Sequence, residues 1–378
     1  MAKISNLKEE NGHLTFTIYN IDVCYVNGIR RTIISDIPII SFKTTPYEEN
    51  NATIISNTSG LTNEIIKHRL SCIPVHLNYL DDTIPFEDYL LEVDVDNTTD
   101  TETIVTTQNF KILNTKTNEY VEDGQVKQIF PPFVPPDGSE ECYIDFVRLR
   151  PKLSDEIPGQ KLKLNCKFSV NTARDDAVYN VTSTCAHGCT PHVEERDNQL
   201  EIRKQKWKDE GKTEDEVKFE AANWKLLEGM RYTINRSFDF ILESIGIYTN
   251  ERIFIEGCNI IERKLVALSQ ATKEDDVEIK ASDNTLENCY DITLANEDYT
   301  IGYILDYEFR TIFYRDLKII NYVGFKKLHP HDTDSLLRIS LEEKHKGITT
   351  IKTMLISVIT EAIKKIQTIK GCFDGTRV

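Results

Sequence analysis

The chain has 378 residues and a mass of 43.5 kDa, enough for two or three domains with their own cores. Its 40% hydrophobic and 28% charged content excludes wholesale disorder, and no run approaches the roughly 20 apolar residues of a membrane-spanning helix. A formal net charge of −16 excludes a broad nucleic-acid-gripping surface, which needs clustered Lys and Arg.

Residues 13–19 (HLTFTIY) alternate apolar and polar positions and predict a strand. Asp22 caps a predicted helix to about residue 35, with Val26, Ile29 and Ile33 on one face and Pro38 forbidding its continuation. Strands are expected at 39–45 and 53–57. A second helix follows at 61–70, with Leu61, Ile65 and Leu70 inward and Lys67 and Arg69 outward.

From about residue 75 to 225 the texture changes. β-rich runs at 89–95, 103–113, 142–149 and 161–170 surround FPPFVPPDG (130–138), whose four prolines impose a stiff extended or turning segment. Residues 194–225 are highly charged and helical in composition, and Thr213 with Glu216 has capping-box spacing.

Helices are expected again at 236–245, with Phe238, Ile241, Leu242 and Ile245 at helical spacing and Gly246 ending it. Asn250 caps the next, which carries Ile253, Phe254, Ile260, Ile261 and Leu265 on a broad apolar face. The acidic, polar stretch 270–288 reads as a linker. Beyond it come a strand at 290–295, a polar turn, a helix at 301–313 and strands at 318–325 and 336–341. The closing helix, 348–370, bears Ile351, Leu355, Val358, Ala362, Ile366 and Ile369, widened by Met354, Ile359 and Ile363. With each buried apolar side chain contributing roughly 1.5–3 kcal/mol, this helix must pack on its own sheet and on another surface. First and last blocks share an order of strand, polar turn, helix, strands and closing apolar helix, which points to two related α+β units lying face to face.

Catalytic signatures are absent: there is no P-loop, G-x-G-x-x-G, G-x-S-x-G or H-E-x-x-H. Cys185, His187, Cys189 and His192 (in CAHGCTPH) are the best zinc candidates, but the spacing is unusual and no second cysteine pair stands nearby. A structural turn with incidental thiols is the preferred reading, and no cofactor is expected. HPHD (329–332) reads as a loop without a nucleophile, and Asp94, Asp96 and Asp100 as a solvated strand end. Nine scattered cysteines fit reduced thiols, and residues 1–14 lack a secretory apolar core, so an intracellular protein is expected. Arg30, Arg31, His68 and Arg69 lie near helix C-termini, where cations complement the dipole.

Their company carries more information. NGIRRTIISDIP (27–38) resembles the N-x-L-R-R pattern, closed by I/V-P, of the α-like RNA polymerase assembly subunits: bacterial α, archaeal D and the eukaryotic third-largest subunit. Asn27, Arg30, Arg31 and Pro38 match, with Ile29 in place of leucine. NTSGLTNEIIKHRLSCIP (57–74) resembles the eukaryotic and archaeal version at Asn57, Leu61, Glu64, Ile66, His68, Arg69, Leu70, Ile73 and Pro74. FDFILESIG (238–246) is similar to the family's F-x-F-x-x-E-S-x-G helix. Near the other end, NEDYTIGYIL (296–305), GFKKLHP (324–330) and LLRI (336–339) resemble the smaller partner, archaeal L or the eukaryotic eleventh subunit, with Tyr299 replacing a histidine.

The resemblance implies an α+β fold in which two α-like dimerisation units are fused in one chain with an inserted β-rich domain. The implied division is a D-like unit at 1–75 and 226–270, the insert at 76–225, a linker at 271–288 and an L-like unit at 289–378. It further implies a non-catalytic platform on which the two largest polymerase subunits assemble, joined by a small subunit homologous to the cellular tenth and twelfth. Asn27, Arg30, Arg31, Glu64, His68 and Arg69 would face a large subunit; Phe238, Ile241, Leu242, Leu355, Val358 and Ile366 would line the internal pairing interface. Little direct nucleic-acid contact and no membrane are implied. Some relatives hold zinc or an iron–sulfur cluster in the insert, but the necessary cysteines are missing between residues 75 and 92. Single-chain fusion resembles the arrangement in large cytoplasmic DNA viruses, which implies host cytoplasm and the virion as locations, or the nucleus for a cellular protein. The alternative is an acidic sliding-clamp-like processivity factor, for which neither a basic inner surface nor a ring-forming edge is legible.

Overall fold

The computed structural model describes residues 2–81, 85–154, 156–283, 286–345 and 347–374. The chain begins with β1 (Lys3–Glu10), β2 (His13–Tyr19), α1 (Val23–Ser35), β3 (Ile39–Ser41), β4 (Ala52–Asn57), α2 (Asn63–Ser71) and β5 (Tyr89–Asp96). Then come β6 (Thr103–Thr106), β7 (Lys111–Asn114), β8 (Glu119–Tyr120), α3 (Asp123–Ile129), β9 (Asp145–Leu149), β10 (Lys161–Lys167) and β11 (Ser169–Asn171). Next are β12 (Thr182–Pro191), α4 (Val193–Asp209), α5 (Glu214–Leu226), β13 (Thr233–Ser244) and α6 (Asn250–Lys273). The last elements are β14 (Ile279–Ala281), β15 (Cys289–Leu294), α7 (Tyr299–Phe309), β16 (Ile320–Lys326), β17 (Ser335–Leu341) and α8 (Ile348–Asp374).

Helices and several sheets mix in the α+β manner, within two compact units. One comprises Met1–Ile33, Thr182–Glu243 and Asn250–Val378; the other comprises Ile34–Val181 and Ser244–Thr249. The insert expected at 76–225 overlaps the second unit over 76–181. β4 and α2 belong to that unit as well, whereas α4 and α5 belong to the first.

In the first unit the sheet order is β1-β2-β13-β12. Residues 236–245 are expected as a helix, yet most of them lie in β13, paired antiparallel with β2 so that Phe16 opposes Phe240 and Leu14 opposes Leu242. The period of two then puts Phe238, Phe240 and Leu242 on one buried face and Ile241, half-buried, on the other. The segment satisfies both periods, and an existing strand edge at β2 decides between them. Phe254 of α6 meets Phe16 (5.1 Å) and Phe240 (5.9 Å) edge-on, and Phe373 of α8 stacks on Phe254 at 4.6 Å.

α6 and α8 run antiparallel along each other. Phe254 meets Phe373, the Gln367 amide donates to Glu262 (2.7 Å), and Lys352 pairs with Asp275. Leu355, Val358 and Ile366 are fully buried on α8, as are Ile253, Ile261 and Leu265 on α6. A second sheet, β14-β15-β17-β16, supports α7, which in turn packs on α8. The expected linker is thus partly ordered structure: β14 pairs with β15, Ile279 opposing Ile292, while residues 284 and 285 lie outside the described residues. α7 continues as a π-helical segment, Arg310–Asp316.

The second unit holds the sheet β4-β10-β5-β7-β8 and the pairs β11-β3 and β6-β9. The expected strand at 103–113 divides into β6 and β7 around a short 3₁₀ turn. Its core gathers Leu91, Val93, Ile112, Leu162 and Leu164 under α2, whose inward residues are Ile66 and Leu70. Ile65, expected inward, is instead 46% exposed, because the Thr62 cap sets a phase that turns Ile66 to the core.

Candidate assembly interface

Asp22 opens α1 by accepting from the Cys24 N–H at 3.1 Å. Val26, Ile29 and Ile33 are buried, and Ile33 lies against α6: a Cβ on Gly257 of α6 would lie 2.7 Å from Ile33 Cγ1, so glycine permits this close approach. The motif arginines part ways. Arg30 donates from Nε and Nη2 to Asn27 Oδ1 (3.1 and 2.9 Å), which lays its half-buried guanidinium along α1. Arg31 reaches α7 instead, donating to Thr300 Oγ1 and Asp298 Oδ2, both at 3.0 Å. Asp298 is also the N-cap of α7, accepting from the Thr300 N–H at 2.8 Å. The NGIRR and NEDYT segments are thereby joined through one cation, one capping carboxylate and one hydroxyl.

A buried polar triad stands beside this joint. The Tyr25 hydroxyl of α1 donates to Glu308 Oε1 of α7 at 2.5 Å, and Lys365 of α8 donates to both carboxylate oxygens at 2.7 and 2.8 Å. Glu308 is fully buried, and so is Tyr25. Burial, and next the Glu308 charge, push the Tyr25 phenol far above its ordinary value, so it stays protonated and keeps donating. Sequence reasoning missed this triad: its members lie 283 and 57 residues apart, and no local spacing marks them.

On α2 the Asn57 side chain shapes the preceding turn, accepting from the Ser59 N–H (3.0 Å) and donating to the Leu61 carbonyl (2.9 Å). Glu64 and His68 are exposed; the Glu64 carboxyl is held below its ordinary value by its own backbone N–H and by Thr62. Arg69, also exposed as a residue, donates to the Phe146 and Asp145 carbonyls at 2.7 and 2.6 Å and ties α2 to β9. All three arginines therefore carry internal contacts, Arg30 and Arg31 half-buried and Arg69 exposed, while Glu64 and His68 are exposed members of the expected set.

No protein-family model matches the chain. Over 286 residues (66% of the chain and 81% of the relative) it is 24% identical to DNA-directed RNA polymerases I and III subunit RPAC1 of Saccharomyces cerevisiae. It is 25% identical over 199 residues to the Dictyostelium discoideum RPAC1, covering 50% of the chain and 53% of that relative. It is 35% identical over 75 residues to DNA-directed RNA polymerase subunit Rpo3 of Pyrococcus horikoshii, covering 20% and 26%. These relatives are RNA polymerase subunits.

The zinc candidates lie along β12, where extended backbone puts Cys185 and Cys189 about 13 Å apart, beyond the reach of one tetrahedral ion. Burial pushes the Cys185 thiol up to about 12, against the opposing Arg30 charge. His187 packs on Phe238 and Phe240, and His192 caps α4 by accepting from the Glu195 N–H at 3.2 Å. Among the described residues no three His, Cys, Asp or Glu side chains gather as a metal site. His329 accepts from the His331 N–H at 3.1 Å within a turn between β16 and β17, and Asp94 pairs with Lys163.

Proposed function

We propose that this chain is a non-catalytic platform subunit of a multisubunit DNA-directed RNA polymerase, with the D-like and L-like units joined covalently. The observation that carries the reading is the antiparallel pairing of α6 with α8 in a chain whose relatives are polymerase subunits. The matching element order around the two four-stranded sheets supports fusion of related units, each with an aspartate-capped first helix and a long apolar closing helix. A covalent tether replaces bimolecular pairing with a high effective concentration. The two largest subunits and a small subunit homologous to the cellular tenth and twelfth are the partners, and with a net charge of −16 the nucleic acid is left to them. The residues proposed to meet a large subunit are Asn27 and Arg30 in the one unit and Glu64 and His68 in the other, with Arg31 and Arg69 each tied within its own unit. No resident metal is part of the reading. Its site of action is the host cytoplasm and virion for a viral enzyme, or the nucleus for a cellular one.

Arg30→Glu is the appropriate test, because it reverses the charge of a half-buried motif arginine and leaves the Arg31–Asp298 joint in place. A tagged Arg30→Glu chain is expected to lose the large subunits in affinity purification while keeping its circular dichroism. Full recovery of two large subunits with the variant would remove Arg30 from the interface; recovery of no large subunit with the unaltered chain would overturn the polymerase reading. Cleavage near Asp276, between α6 and β14, is expected to leave both halves associated through α6 and α8 at micromolar concentration. Separation on gel filtration would refute fused-dimer architecture.

A further inference from the structure

The sheet β14-β15-β17-β16 has two edges. β14 is three residues long, whereas β16 has seven, and among the described residues no strand pairs with its outer side. Such an edge presents a row of unpaired N–H and C=O groups, which proteins usually protect with proline or charge. Residues 320–325 (INYVGF) hold neither. Lys326 closes the strand, and the register irregularity lies at its start, between Ile320 and Tyr322.

A groove of about 340 Å³ runs along this edge, lined by the consecutive residues 321–325. Neighbouring residues of a strand point to opposite faces, so lining by all five places the groove against the backbone edge itself. Its other wall is α7 and the π-helical segment that follows. Tyr303 and Asp306 of α7 and Arg310 of that segment stand at i, i+3 and i+7, and Tyr314 comes one turn later. A π-helical winding is rare and recurs at functional sites. Tyr303, Tyr314 and Tyr322 are 46%, 48% and 44% exposed, so the groove offers rings that the core does not consume. The Asp306 carboxylate is largely buried, and its contact to Arg310 runs through one half-exposed nitrogen, at 3.1 and 3.4 Å. Burial pushes the Asp306 carboxyl above its ordinary value, and the Arg310 charge does not offset that push. The carboxylate is therefore short of counter-charge.

We propose that β16 and the groove beside it form a strand-addition site for an extended, basic segment of a partner protein. The backbone of that segment would pair with the free N–H and C=O groups of β16. One of its lysines or arginines would enter the groove and meet Asp306 beside the rings of Tyr303 and Tyr314. A net charge of −16 favours a basic occupant over a second copy of the chain. The site uses none of the residues proposed to meet a large subunit.

The probe is a fluorescein-labelled peptide of about eight residues that alternates Lys with Val or Thr. Titrated with the full chain at fixed salt, its anisotropy is expected to rise saturably. N-methylation of one alternate set of its backbone nitrogens is expected to abolish binding. Methylation of the other set is expected to leave most of it, because only one set faces β16. The same peptide with Glu in place of Lys is expected not to bind. Asp306→Asn is expected to weaken binding by about tenfold or more, and Tyr314→Ala, at an exposed ring, by about threefold to tenfold, both with unchanged far-UV circular dichroism. Asp215→Asn, at an exposed carboxylate on α5, is expected to leave affinity within about twofold. Five results overturn the proposal: no saturable rise; the same response to both methylated peptides; unchanged affinity in Tyr314→Ala; as large a loss from Asp215→Asn as from Asp306→Asn; or self-association of the chain that Tyr314→Ala abolishes.

Discussion

Replacing Tyr25 by Phe removes one hydroxyl and almost no volume from the triad that joins α1, α7 and α8. The lost bond is a 2.5 Å hydrogen bond to a fully buried carboxylate. A hydrogen bond to a charged group contributes about 1.5–3 kcal/mol, and the upper part of that range applies where water cannot replace the donor. Lys365 keeps both of its contacts to Glu308, so the carboxylate is not orphaned and the larger penalty for an unpaired buried charge is avoided. Local opening of α7 and α8 should accordingly become roughly tenfold to a hundredfold more frequent. Hydrogen exchange read by mass spectrometry resolves this: peptides from α7 and α8 should exchange faster by that factor, and peptides from β10 in the other unit should not change. Lys365→Met should cost more, because it leaves Glu308 with one donor, although the partial exposure of Lys365 softens the loss. Exchange of α7 in Tyr25→Phe within about twofold of the parent would mean the triad is passive packing.

Gly302→Ala would drive a Cβ into the Phe325 ring, so a thermal melt should show a loss of about 1–3 kcal/mol, partly restored by Phe325→Leu; an unchanged melt would refute the contact. His187 titrates below its ordinary 6.5, first through burial and then through the Arg30 charge. The unfolded chain therefore takes up that proton at higher pH than the folded one. Stability present above about 6.5 should be lost as pH falls from there towards the folded-state value, and denaturation midpoints for His187→Phe should show a shallower loss. His76, lowered by burial in the other unit, contributes with the same sign and should remain in that variant. Metal analysis after purification is expected to find no stoichiometric zinc; one zinc per chain lost on Cys185→Ser would contradict the extended geometry of β12.

Much of the helical architecture is legible locally. The stripe through Ile351, Leu355, Val358, Ala362 and Ile366 has one periodic reading, and all five residues are fully buried on α8. Asp22 and the Thr213–Glu216 box mark helix starts because capping is chemistry between close neighbours. Arg30 with Asn27 is local too, three residues apart on one helix face. The strand at 233–244 was not legible: FDFIL fits periods of two and of 3.6, and the edge offered by β2 selects between them. A polar stretch hid β14 for a related reason, since a three-residue strand is formed by its partner β15 rather than by its own composition.

The amino-acid sequence by itself determined the phases of α1, α6 and α8, the capped beginnings of α1 and α5, the absence of a catalytic signature and the two separated blocks of assembly-subunit resemblance. These rest on contacts within a turn or two, or on residue identities alone. Tertiary structure decided which residues those blocks use to hold each other. It sent Arg31 to the α7 cap, left Arg30 on α1, and placed Tyr25, Glu308 and Lys365 in one buried cluster. Such partners are chosen by packing across hundreds of residues, where burying a charge is tolerable only if the fold brings its counter-charge and donors to the same place.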